Sequence, residues 1–227
     1  MSERIRFASR HGGGEAIGGA LAAPAGSGQV PAVIVVHEWW GLTDHIVGIA
    51  DRWAAEGFLA LAPDLYRGEL ARDADSARGL MTGLDAARAV ADLQGAVDYL
   101  RAHDRCNGAV VITGYCMGGA LSLRLAAAHA GLAAAIPFYG VPGGVDLSTV
   151  NCPVQLHVAQ HDDWVTPALA EKAATTMRAG GAPVETHIYD AQHAFCNDTR
   201  PDVYDAAAAT TAWANATLFA RQHTGPS

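Results

Sequence analysis

Cys116 lies in the run Thr113-Gly114-Tyr115-Cys116-Met117-Gly118-Gly119, a G-x-C-x-G pattern between an apolar stretch and a helical one. A nucleophile on a sharp turn into a helix needs small neighbours, because its backbone is strained and passes close to other elements. The helix N-terminus adds positive potential and free N–H groups, which lower a thiol pKa and can stabilise an oxyanion. A buried structural cysteine in a glycine-rich turn is the plain alternative. A thiol also needs a base. His193, in Tyr189-Asp190-Ala191-Gln192-His193-Ala194-Phe195, follows an apolar run and is the best placed of the ten histidines. A carboxylate that orients such an imidazole is available in His161-Asp162-Asp163-Trp164-Val165, from Asp162 or Asp163. The chain order is nucleophile, acid, base.

Glu38 closes another apolar run, in Val36-His37-Glu38-Trp39-Trp40-Gly41. An acid between a buried strand and two tryptophans is expected to have a perturbed pKa, the mark of a functional group, although it can also serve as a helix cap. The backbone N–H groups of Trp39 and Met117 are placed to bind an oxyanion. Two other chemistries use the same residues. A reactive thiol at Cys116 can act as a redox sensor or carry a ligand without hydrolysis. His157, His161 and Asp162 can be read as metal ligands, but the two histidines straddle a strand end instead of sharing a helical face.

Positioning these groups falls to alternating strands and helices. Ala32–Val36 is a β-branched run expected of a strand buried on both faces. Further strands are read at 58–62, 109–113, 134–138, 154–158 and 184–189, and helices at 45–56, 85–103, 120–129, 168–179 and 203–220. The first ~25 residues read as an antiparallel hairpin at the sheet edge. The pattern predicts a mostly parallel sheet covered by helices on both faces, in one domain spanning 1–227. Sites in such sheets form at the C-terminal ends of strands, which is where Glu38, Cys116, Asp162 and His193 fall.

Taken together, His37-Glu38-Trp39-Trp40-Gly41, Pro63-Asp64-Leu65-Tyr66, Gly114-Tyr115-Cys116-Met117-Gly118-Gly119, Asp162-x-x-Val165 and His193-Ala194-Phe195 resemble the dienelactone hydrolase family. The resemblance covers nearly the whole chain. It implies an α/β-hydrolase fold, a Cys116–His193–Asp162 triad and hydrolysis of a lactone or small ester without a cofactor or metal. It selects Asp162 over Asp163 by the spacing to Val165. It also implies that Glu38 contacts the resting thiol and is displaced when substrate binds. Dienelactone enzymes hold the substrate carboxylate with two arginines, one of them four residues after the histidine, where this chain has Asn197. Arg72 and Arg78 lie near the other position, with Arg200 as a substitute. Trp39, Trp40, Tyr139, Trp164 and Phe195 supply an aromatic pocket, with Arg78 as its cation.

Composition narrows the partners. The 227 residues are 50% hydrophobic, enough for a sizeable core. The net charge is -8 with no basic stretch, so nucleic acid and anionic membranes are not expected partners. Lys172 is the sole lysine, which argues against Schiff-base chemistry. Four scattered cysteines, with no C-x-x-C spacing and no apolar N-terminal leader, point to a cytoplasmic protein, a monomer or small homo-oligomer.

Overall fold

In the computed structural model, which describes residues 2–12 and 15–225, the valine-rich run is buried on both sides, as its lack of polar residues requires. The strands are β1 (Glu3–Ala8), β2 (Ala16–Ala22), β3 (Val30–Val36), β4 (Leu59–Pro63), β5 (Cys106–Tyr115), β6 (Ala134–Phe138), β7 (Val154–His161) and β8 (Val184–Gln192). The helices are α1 (Asp44–Ala55), α2 (Ala74–Gly83), α3 (Ala86–Ala102), α4 (Met117–Ala128), α5 (Pro167–Ala179) and α6 (Ala206–Thr224). The strands form one sheet in the order β1-β2-β4-β3-β5-β6-β7-β8. β3 to β8 run parallel, and the β1–β2 hairpin joins β4 antiparallel at one edge, as the sequence predicts. This is the α/β-hydrolase arrangement.

Side chains alternate across a strand, so β3 feeds two cores. Ala32, Ile34 and Val36 point into the core that also holds Leu93, Val97 and Leu100 of α3, Leu123 of α4 and, further along the sheet, Met177 of α5. Val33 and Val35 face Ile46, Ile49 and Trp53 of α1 and Ala216 and Phe219 of α6. Burying each Ile or Leu removes apolar surface worth about 2 kcal/mol. Asp85 accepts from the N–H groups of Ala87 and Arg88 to start α3, and Thr166 with Pro167 starts α5. Among the described residues no helix is long and apolar enough to cross a membrane.

Two helix starts and one helix end differ from the sequence reading by more than one residue, α6 running on to Thr224 instead of stopping at 220. α4 begins at Met117, because the turn at Cys116 leads into the helix directly, and not at 120. α6 begins at Ala206, where the Asp205 side chain accepts from the Ala208 N–H; residues 203–205 lie outside it. α2 carries no strong periodic signal, since Ala77 is its one buried residue, yet the Asp73 and Ser76 side chains form a reciprocal capping box at its start. The segment ahead of α2 is tied down by Arg67, whose guanidinium grips the fully buried Asp92 carboxylate of α3 at 2.8 and 3.1 Å.

Gly118 carries the turn. A Cβ built there would sit 2.3 Å from the Val36 carbonyl oxygen at the end of β3, a contact no side chain can make. Gly118→Ala is therefore expected to cost about 3 kcal/mol of stability, read as a lower urea midpoint with unchanged slope. A midpoint equal to that of the parent protein would contradict the close approach of α4 to β3.

Candidate active site

Four strands end at the site. β3 is followed by His37 and Glu38, β5 by Cys116, β7 by Asp162 and β8 by His193. Cys116 has φ 54° and ψ −116°, a conformation that costs a non-glycine residue about 1–3 kcal/mol. It is held by the Cys116 N–H donating to the Phe138 carbonyl at 3.0 Å and by the Ala120 N–H donating to the Cys116 carbonyl at 3.1 Å. The strain lifts Sγ above the sheet edge, where it meets His193 Nε2 at 3.1 Å.

The imidazole is fixed from its other side. His193 Nδ1 donates to Asp162 Oδ2 at 2.7 Å. Asp162 Oδ1 accepts from the N–H groups of Trp164 and Val165 at 2.8 and 2.9 Å, so the carboxylate cannot turn. Asp163 is exposed on the cleft wall. Burial alone would lower the His193 pKa, but the hydrogen bonds and charges of Asp162 and Cys116 outweigh it and raise it to about 10. Burial would also raise the Asp162 pKa, yet the His193, Val165 and Trp164 hydrogen bonds hold it below the usual carboxylate range. The arrangement holds a readily protonated imidazole against the Cys116 sulfur.

Glu38 is 2% exposed, and burial pushes its carboxyl pKa up, with His45, Asn197, His193 and Arg200 pulling the other way. Asn197 Nδ2 donates to Glu38 Oε2 at 2.5 Å, while Asn197 Oδ1 accepts from the Thr199 N–H and hydroxyl. Asn197 is thus turned toward the glutamate and is itself buried.

The cleft holds about 310 Å³ and is lined by Glu38, Cys116 and His193 together with Trp39, Trp40 and Trp164. Trp39 contacts both other indoles edge-on, with centroids 5.1 and 6.1 Å apart. Two sequence expectations are corrected. Arg78, exposed on α2 and 3.6 Å from Asp75, does not line the cleft; the cation that does is Arg200, which also bonds Asp202 at 2.7 Å. Tyr139 and Phe195 are fully buried beneath the cleft, where Tyr139 packs 5.1 Å from the His193 ring as a floor, not a lining. Met81 of α2 and Val203 complete the wall and carried no sequence signal of their own. The histidines of the metal reading are not brought together. His157 is buried, bonded to Tyr189 Oη and Gln155 Oε1, whereas His161 pairs with Asp190 at the surface.

Comparison with known proteins agrees with the geometry. Residues 17–224 match the dienelactone hydrolase family. "Protein usf" of Aquifex pyrophilus is 35% identical over 98% of this chain and 99% of its own length. A carboxymethylenebutenolidase of a Pseudomonas species is 32% identical over 84% of each chain. Among solved structures, a dienelactone hydrolase-like promiscuous phosphotriesterase from metagenomic libraries superposes with a TM-score of 0.87 at 26% identity, covering 99% of both chains.

Proposed function

Because the chain belongs to the dienelactone hydrolase family and is a hydrolase of ester or lactone bonds, we propose that it works through a thioester formed on Cys116. The observation that carries this reading is the unbroken line from Cys116 Sγ through His193 to Asp162, at 3.1 and 2.7 Å.

The Cys116 thiolate attacks the carbonyl carbon, and the carbonyl electron pair moves onto oxygen, where the Trp39 and Met117 N–H groups receive it. Met117 is the first residue of α4, so its N–H has no partner within the helix. As the tetrahedral intermediate collapses, the C–O bond breaks and His193 Nε2 gives its proton to the leaving oxygen. Water, deprotonated by His193, then attacks the thioester and expels the thiolate. Asp162 keeps the N–H on Nδ1 and stabilises the imidazolium. Burial biases Glu38 toward its neutral form, which lessens the negative charge it places beside the thiolate.

The cleft suits a small, largely apolar ester or lactone. Three tryptophans line it, Arg200 already has a carboxylate partner, and Asn197 bonds Glu38 where a carboxylate-binding arginine would stand. Rapid mixing with phenyl acetate tests the reading. One equivalent of acyl group per chain is expected to load before turnover, and loading slows as pH rises through about 10, because His193 loses the proton that the leaving phenoxide needs. With p-nitrophenyl acetate, whose leaving oxygen is less basic, the loss is smaller. A protein that alkylates readily at Cys116 but hydrolyses no ester or lactone would contradict the proposal and favour thiol sensing.

A further inference from the structure

His37 takes no part in the steps above, yet it is fully buried directly behind the site. Its two ring nitrogens meet groups whose roles are fixed. Nδ1 lies 2.6 Å from the Glu38 carbonyl oxygen, which can only accept. Nε2 lies 3.2 Å from the Leu65 nitrogen, whose N–H can only donate. These partners select one tautomer, with the proton on Nδ1 and the lone pair on Nε2. Burial lowers the His37 pKa against the opposing pull of the Glu38 carbonyl and Asp64, so the ring stays neutral. The Tyr66 ring packs edge-on against it at 4.9 Å, and the Gly41 N–H adds a second, longer bond of 3.3 Å to the same carbonyl.

That carbonyl is one end of the Glu38–Trp39 peptide, and no described peptide bond is cis. In a trans peptide the C=O and the N–H lie in one plane and point in opposite directions, so whatever fixes the oxygen also aims the Trp39 N–H. We propose that His37 is the positioning residue of the oxyanion site: by donating Nδ1–H to the Glu38 carbonyl, it holds the Trp39 N–H toward the oxygen that becomes negative when Cys116 attacks. This rests on the reading of Cys116 as nucleophile and Trp39 as oxyanion donor.

The test compares His37→Asn with His37→Leu, two side chains of nearly one shape, of which only Asn can place an N–H where Nδ1 stood. Two rates are read: acylation by p-nitrophenyl acetate, which needs the oxyanion site, and alkylation of Cys116 by iodoacetamide, which does not. His37→Leu is expected to lose on the order of 10²-fold or more in acylation with KM little changed, while alkylation stays within threefold. His37→Asn should recover acylation to within tenfold of the parent. If His37→Leu does not fold, His37→Gln replaces it, because its longer amide reaches the Nε2 position and leaves the Glu38 carbonyl unserved. The proposal is overturned if Asn and its comparator acylate equally, or if acylation and alkylation fall together. Cys116→Ala, run alongside, separates the two readings: if it acylates normally, the nucleophile assignment fails and not the role of His37.

Discussion

Cys116→Ala is expected to slow p-nitrophenyl acetate turnover by at least about 10⁴-fold while leaving the thermal unfolding midpoint within a few degrees. The loss is large because, in the proposed mechanism, Sγ is the atom that bonds the substrate; no other thiol can replace it. Cys106 and Cys152 are buried in the core, and burial pushes both of their pKa values up. Cys196 lies behind the site, its thiol pushed up by burial. The fold survives because alanine keeps the Cβ, and the positive φ is imposed by neighbours that the substitution does not touch. Removing the sulfur also removes one of the influences that raise the His193 pKa, so the imidazole should titrate lower than in the parent protein, as NMR would show. Turnover within tenfold of the parent would contradict the assignment.

The next largest effect is expected from Asp162→Asn, roughly 10³–10⁴-fold in kcat. Asparagine can still accept the Trp164 and Val165 N–H groups through Oδ1, so the turn should persist. What changes is the atom facing His193. An amide N–H₂ replaces the carboxylate oxygen and meets Nδ1–H, donor against donor. The ring then avoids the clash by moving its proton to Nε2, and the neutral imidazole can no longer accept a proton from the thiol. With the Asp162 charge gone, the His193 pKa falls, and the high-pH limb of activity moves down with it. Asp163→Asn is the control. Its side chain is exposed and makes none of these bonds, so a change of less than threefold is expected. Equal losses in the two variants would contradict the role given to Asp162.

These residues could be read from sequence for a physical reason. In a parallel sheet, chemistry collects where strands end, and each strand end here is marked by a break from apolar residues to Glu38, Cys116, Asp162 or His193. The edge hairpin was legible too, although β1 and β2 contain the weaker pattern Glu3–Ala8 and Ala16–Ala22. The cleft wall was harder. α2 buries Ala77 alone, so its ten residues leave no apolar stripe, and its capping pair Asp73 and Ser76 was the one available signal. Choosing Arg200 over Arg78 depends on how the aperiodic segment after His193 returns toward α6. The sequence reading puts Tyr139 and Phe195 in the pocket lining, but whether a ring lines a cleft or floors it depends on depth, which composition does not encode. Asn197 was visible as a departure from the family pattern; its bond to Glu38 spans 159 positions and no spacing rule reaches that far.

The thioester itself is the most direct test of the central claim. The protein would be mixed with an excess of p-nitrophenyl acetate, quenched in acid within the burst, digested and read by mass spectrometry. We expect one acetyl group on the peptide carrying Cys116, released by neutral hydroxylamine and absent from Cys116→Ala. An acetyl group on another residue, or undiminished hydrolysis by Cys116→Ala, would contradict it.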